Sequence, residues 1–189
     1  VYSVGGGALS EGKGKDDMFY TEPVYELSTL KAIQHWCEES GRGFWEYTDE
    51  CEGSEIWDYL HEVWLMMCNA VECGLENDGV LPGPLKLSRK ASNYYIKALS
   101  YRSSLQSRGL VYAYALAVSE ENASGGTIVT APTCGSCGVM PGVLYHLAKA
   151  HQFSARKILR ALATAGLFGN VVKANASISG AEVGCQGEV

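Results

Sequence analysis

Residues 127–189 hold two stretches in which small residues, hydroxyls and thiols crowd together. The first, PTCGSCG at 132–138, follows the β-branched run Thr127, Ile128, Val129 and Thr130 and precedes Met140, after which Pro141 can occupy the first turn of a helix. The second, NASISGAEVGCQGEV, fills 175–189 and places Cys185 eight residues after Ser177. Loops of this kind present backbone N–H groups, hydroxyls and thiols to a ligand, with few bulky side chains to block it. The same composition also lets helices approach one another closely. Composition alone leaves both readings open.

Three further features have chemical potential of their own. Cys134 and Cys137 form a C-x-x-C pair, which suggests a redox couple or half of a zinc site in a non-enzymatic thiol- or zinc-binding module. A zinc site needs four ligands; His146 follows on the next helix, and only something distant such as Cys185 would complete the count. Lys173 could form a Schiff base with pyridoxal phosphate, but no phosphate-cradling loop accompanies it. His35, His61, His146 and His151 stand singly on helical stretches and read as surface or packing residues.

The rest of the chain must position these loops. VYSVGGG opens as a short strand that ends in a bend or closes on another backbone, and the polar residues 11–27 read as a connector. Ser28 or Thr29 can cap a helix through about Glu39, stopped by Gly41 and Gly43. After a turn near 51–53, Ser54 can cap a long helix with Ile56, Leu60, Val63, Met67, Ala70 and Val71 on one face. Residues 44–85 contain no Lys or Arg while acids accumulate there, giving a solvated acidic face or a surface for a basic partner. That acidic helix is expected near the cations that follow, from Lys86 to Arg108. Pro82-Gly83-Pro84 marks a turn or extended crossing. Residues 110–118 are apolar on every side and predict a helix buried all round, ended by 122–126. Helices at about 141–150 and 154–168 come next, the second capped by Ser154 with Ile158, Leu162 and Ala165 on one face.

Composition excludes several classes of function. The 189 residues suffice for one main globular unit, with 47% hydrophobic and 19% charged residues. A formal net charge of -6 argues against nucleic acid as a partner, since phosphate contact needs clustered cations. No charged side chain occurs between Glu121 and Lys149, but Pro132, Pro141 and many Gly interrupt that interval, so it is not a membrane span. Seven Cys, an odd number with several in apolar helical stretches, fit reduced thiols in a cytoplasmic chain. The chain opens on Val1 and stops at Val189 just after its second loop, and both ends look cut.

TIVTAPTCGSCGVMPGVL, the TAGLFG before the second loop, and NASISGAEVGCQGEV together resemble the iron-sulfur L-serine dehydratases, or L-serine ammonia-lyases. ENASGG and VLPGPLK are similar to that family's larger helical domain, and VYSVGGG to the segment closing its smaller first domain. The resemblance covers nearly the whole chain but only an interior part of the family's protein. It implies a mainly α fold: 1–27 as the end of the first, β-type domain with its connector, and 28–189 as the N-terminal part of the helical α-type domain. It also implies a [4Fe-4S] cluster held by three cysteines, with one iron open to act as a Lewis acid on the substrate L-serine. Cys185 matches the first cluster ligand; the other two are expected beyond Val189. The family's Ser-Ser-His-Thr segment would precede Val1, so the catalytic base is expected outside this chain, and the chain alone is expected to be inactive. The full-length protein is expected to be a homo-oligomer. Thr133 and Ser136 in the first loop, and Asn175, Ser177, Ser179 and Gly180 in the second, are the candidates for the substrate carboxylate, which hydroxyls and N–H groups at a loop entering a helix hold well. Under the resemblance Cys134 and Cys137 line the pocket.

Overall fold

Helix α5 (Ser103–Ala123) packs against α3 (Ile56–Glu76), α4 (Ala91–Leu99) and α6 (Val139–His151) and is the member around which the others are arranged. The computed structural model describes residues 2–5, 8–10, 24–130 and 134–175. Seven helices lie among them: α1 (Leu30–Ser40), α2 (Phe44–Glu52), α3 (Ile56–Glu76), α4 (Ala91–Leu99), α5, α6 (Val139–His151) and α7 (Ala155–Asn175). The expected leading strand is Tyr2–Gly5 (β1), and it is not alone: Ala8–Ser10 (β2) pairs with it antiparallel, with an irregularity between Ser3 and Gly5. The mainly helical fold class is as expected.

Local signals account for several boundaries. Thr29 accepts a hydrogen bond from the Ala32 N–H at the start of α1, and Gly41 closes it in the left-handed region at φ 68°, where a Cβ would be strained. On α3 the predicted stripe is inward: Leu60, Met67, Ala70 and Val71 are buried, and Ile56 and Val63 pack beside them. Ser54 does not cap it. Glu55 holds the N-cap place in right-handed helical conformation and makes no side-chain capping bond.

Two helices were not anticipated. In α2 the Glu46 carboxylate reaches back to the Gly43 N–H (2.8 Å), a capping bond made without a Ser, Thr, Asp or Asn before the helix. The start of α4 has no cap of its own and is closed by a residue of α5, described below. Helix α5 begins at Ser103, well before its apolar run, and is not buried all round: Tyr112 is 69% exposed. Helix α7 runs on to Asn175, so TAGLFG is helix interior. Residues 79–89 fold back on themselves through a Val80–Ser88 bridge, a turn of the kind that Pro-Gly-Pro predicts.

The core has three connected parts. Leu60 and Met67 of α3 meet Leu144 of α6 and Ile158, Leu162 and Ala163 of α7. Ala70 and Val71 meet Tyr114 and Val118 of α5 with Cys137 and Tyr145, and the Tyr114 and Tyr145 rings pack edge to face at 4.9 Å. Ile33, Tyr47 and Leu167 tie α1 and α2 to α7. Each fully buried aliphatic side chain of this set contributes about 1.5–3 kcal/mol. Helices α3 and α4 pack together as expected, but the cation there pairs elsewhere: Arg89 bonds Glu121 of α5 at 2.8 Å.

Candidate functional site

The buried stripes of α5 end in carboxylates. Ala113, Ala117 and Glu120 follow at i, i+4 and i+7, as do Tyr114, Val118 and Glu121, so helical periodicity carries both acids inward with the apolar residues. Buried carboxylates need partners, and both have them. Glu120, 3% exposed, accepts from the Lys90 N–H (2.7 Å) and the Ala91 N–H (3.4 Å), closing the N-terminus of α4 with a negative charge. Glu121 accepts from Asn77 Nδ2 (2.9 Å) and Arg89 Nη1 (2.8 Å). Burial pushes the Glu121 carboxyl up, but the hydrogen bonds of Asn77 and Arg89 and the Arg89 charge outweigh it and hold the pKa below the ordinary value. Arg89 Nη2 also donates to Ser124 Oγ (2.6 Å), and the Gly126 N–H bonds the Glu121 carbonyl (2.8 Å). ENASGG is therefore a pinned helix end.

The first small-residue loop is seated on the neighbouring face of α5. Gly138 and Gly142 lie where an added Cβ would stand 2.2 Å from the Ala115 carbonyl oxygen and 2.8 Å from the Ala115 nitrogen, so only glycine permits this approach. Ser119 Oγ donates to the Ala115 carbonyl at 2.9 Å. Farther along the same face, Asn122 Nδ2 donates to the Cys134 carbonyl at 3.1 Å. The loop tightens through Cys137 N–H to Cys134 O (3.4 Å) and Val139 N–H to Ser136 O (3.0 Å), then enters α6 with Pro141 buried in its first turn. The glycines of 138 and 142 thus serve close helix packing, the second of the two roles that the composition of this loop allows.

Among the sequence candidates, Ser136 lies half-buried in this loop. Asn175 is the last residue of α7 rather than a loop residue, and its amide donates to the carbonyls of Ser28 (2.7 Å) and Val171 (2.8 Å). Thr133, Ser177, Ser179, Gly180 and Cys185 lie outside the described residues. Cys134 is exposed and Cys137 buried, so the two thiols have different surroundings. Among the described residues no group of three His, Cys, Asp or Glu is placed to hold a metal ion. His146 is a packing residue, 9% exposed, with Nε2 2.7 Å from Ser107 Oγ; burial, and then the charge of His151, lower its pKa. His35 pairs with Glu39, His151 stacks on Phe153, and Lys173 is exposed. Sequence reasoning missed Glu120, Glu121 and Asn122 as organising residues, reading only the apolar run 110–118 and taking Asn122 as part of its end; for the two acids, their place on the i, i+4, i+7 stripes was the available signal.

A helical domain whose central helix ends in a pinned polar knot and cradles a glycine-rich thiol loop defines a class broader than one enzyme. The comparison that narrows it is a match of residues 20–189 to the family described as serine dehydratase alpha chain, and the chain belongs to that family. It is 39% identical to the L-serine dehydratase of Haemophilus influenzae over 201 aligned residues, which take in all of this chain and 44% of that protein. L-serine dehydratase 2 of Escherichia coli is 38% identical and the L-serine dehydratase of Streptomyces coelicolor 39%, again over all of this chain and 44% of each. The chain thus spans less than half the length of these relatives.

Proposed function

We propose that this chain is the helical, substrate-side part of an enzyme that converts L-serine to pyruvate and ammonia. The observation that carries the reading is the alignment of the entire chain with proteins named for that substrate. The division into a closing segment at 1–27 and a helical domain from 28 is part of the proposal, and the family match that begins at residue 20 supports it. In the reaction the α-proton goes to a base outside this chain and hydroxide leaves the β-carbon. The resulting aminoacrylate takes up water and yields pyruvate and ammonia, so no oxidant is consumed.

The work assigned to these residues is binding and orientation. The substrate carboxylate rests at the loop around Thr133 and Ser136, where the positive end of the α6 dipole and hydroxyl donors favour an anion. Asn175 at the end of α7, and Ser177, Ser179 and Gly180 beyond it, are assigned to the same carboxylate. A [4Fe-4S] cluster, with Cys185 as one ligand, would supply Lewis acidity toward the serine hydroxyl when bound. Among the described residues no group of three or more His, Cys, Asp or Glu is placed to hold it. Only one of the three cysteines that the family resemblance assigns to a cluster is in this chain, which supports the proposal that the 189 residues alone do not turn serine over.

The test is anaerobic reconstitution of the protein at the relatives' full length with iron and sulfide, reading iron content and pyruvate formed from L-serine. Pyruvate from the wild type, with weaker serine use and unchanged iron in Ser179→Ala, is expected. A protein that holds its cluster yet forms no pyruvate would overturn the assignment, and unchanged kinetics in Ser179→Ala would remove that residue from the site.

A further inference from the structure

We infer that Asn122 is a positioning residue: its amide anchors the Cys134 carbonyl and thereby sets where the first small-residue loop presents its donors. Three observations converge. Ala115, Ser119 and Asn122 fall at i, i+4 and i+7 on one face of α5, and the loop and the first turn of α6 meet that face at each of them. At the Ala115 end the contact is steric, Gly138 and Gly142 against backbone, which fixes how close the loop lies but does not fix the orientation of the peptide at Cys134. At the other end Asn122 Nδ2 makes a directional bond to the Cys134 carbonyl, which the Cys137 N–H meets from within the loop at 3.4 Å. The donor is itself held in place, since Glu120 and Glu121 on its N-terminal side are buried and bonded. Asn122 therefore projects from a fixed backbone, and its amide ties the carbonyl of the loop to α5 by direction rather than by shape. The inference rests on the proposal that this loop faces serine, and it adds the residue that aims it.

Asn122→Asp tests it in the full-length, cluster-loaded enzyme, because a carboxylate keeps the shape but cannot donate to a carbonyl. Backbone amide exchange over 134–138 is read beside the thermal midpoint and the serine kinetics. Faster exchange confined to those residues is expected, with a midpoint close to wild type and a KM for L-serine higher by on the order of five- to tenfold while kcat changes less. Asn122→Gln, whose longer amide can still reach a carbonyl, should recover part of the KM. Unchanged exchange at 134–138 in Asn122→Asp overturns the inference. Faster exchange with unchanged KM leaves the anchor standing but overturns the substrate role of the loop, so the two ideas fail separately. Should Asn122→Asp not fold, Asn122→Ser carries the same exchange measurement, with the same two outcomes.

Discussion

A neutral imidazole at position 146 is part of what holds α6 to α5. Its Nε2 meets Ser107 Oγ at 2.7 Å and its ring lies beside Tyr114, at 6.4 Å between centroids. Burial first, and His151 second, lower its pKa below the ordinary 6.5. The unfolded chain therefore binds this proton more readily than the folded one, and the stability it contributes is complete above about pH 6.5 and lost as pH falls through the folded value. We expect the urea midpoint to drop between pH 7 and pH 5, and His146→Gln to flatten that slope; an equally steep profile in the variant would assign the loss to other groups. Glu121 acts in a separate window, because its folded pKa lies below the usual 4.5 and its contribution fades only in stronger acid.

Between elements, glycine has opposite meanings at two places. An alanine at 138 would put its Cβ 2.2 Å from the Ala115 carbonyl oxygen, whereas at Gly166 of α7 nothing stands within 4 Å. Gly138→Ala should destabilise by about 1–3 kcal/mol as α6 is pushed off α5. Gly166→Ala should stabilise by about 0.5–1 kcal/mol, as a helix-interior glycine with free space around it does. Paired denaturant titrations check the two signs, and equal signs would mean that the α5–α6 contact is softer than described. The same contrast explains what could be read from sequence. Helices α1, α3, α6 and α7 carry their own punctuation, in Thr29, Gly41, Pro141 and Ser154, or an apolar stripe of helical period. Helices α2 and α4 carry neither, since the one is closed by a Glu reaching back to a glycine N–H and the other from a different helix. Of the candidate site, the loop that carries Ser136 was legible as a loop because it is bounded by punctuation on both sides. Asn175 was misplaced because no residue before it stops α7. Asn122 was invisible because its partner is a backbone carbonyl, which leaves no mark on residue type.

Across the described residues, α5 packs against α3, α4 and α6 and contributes the buried apolar residues Ala113, Tyr114, Ala117 and Val118, while α1 and α2 join α7 through the smaller cluster of Ile33, Tyr47 and Leu167. Native-state amide exchange should therefore be slowest at 113–118 and faster by several orders of magnitude in α1, whose loss would leave the α3–α5–α6 core intact. Uniform exchange in all helices would instead indicate one cooperative unit. Glu120 has a consequence for how this sequence can change over time. The instruction that starts α4 is written thirty positions away, so the residues around 88–92 carry no signal that selection must keep for that purpose. Position 90, which takes part through its backbone N–H, can drift so long as that carboxylate on α5 stays in place, whereas Arg89 is kept by its bonds to Glu121 and Ser124 and Ala91 by burial. A nine-residue helix is too short to persist by itself in water, so it exists only as a dependent of its neighbour. In a family comparison, variability at its start would report that dependence and not a lack of importance.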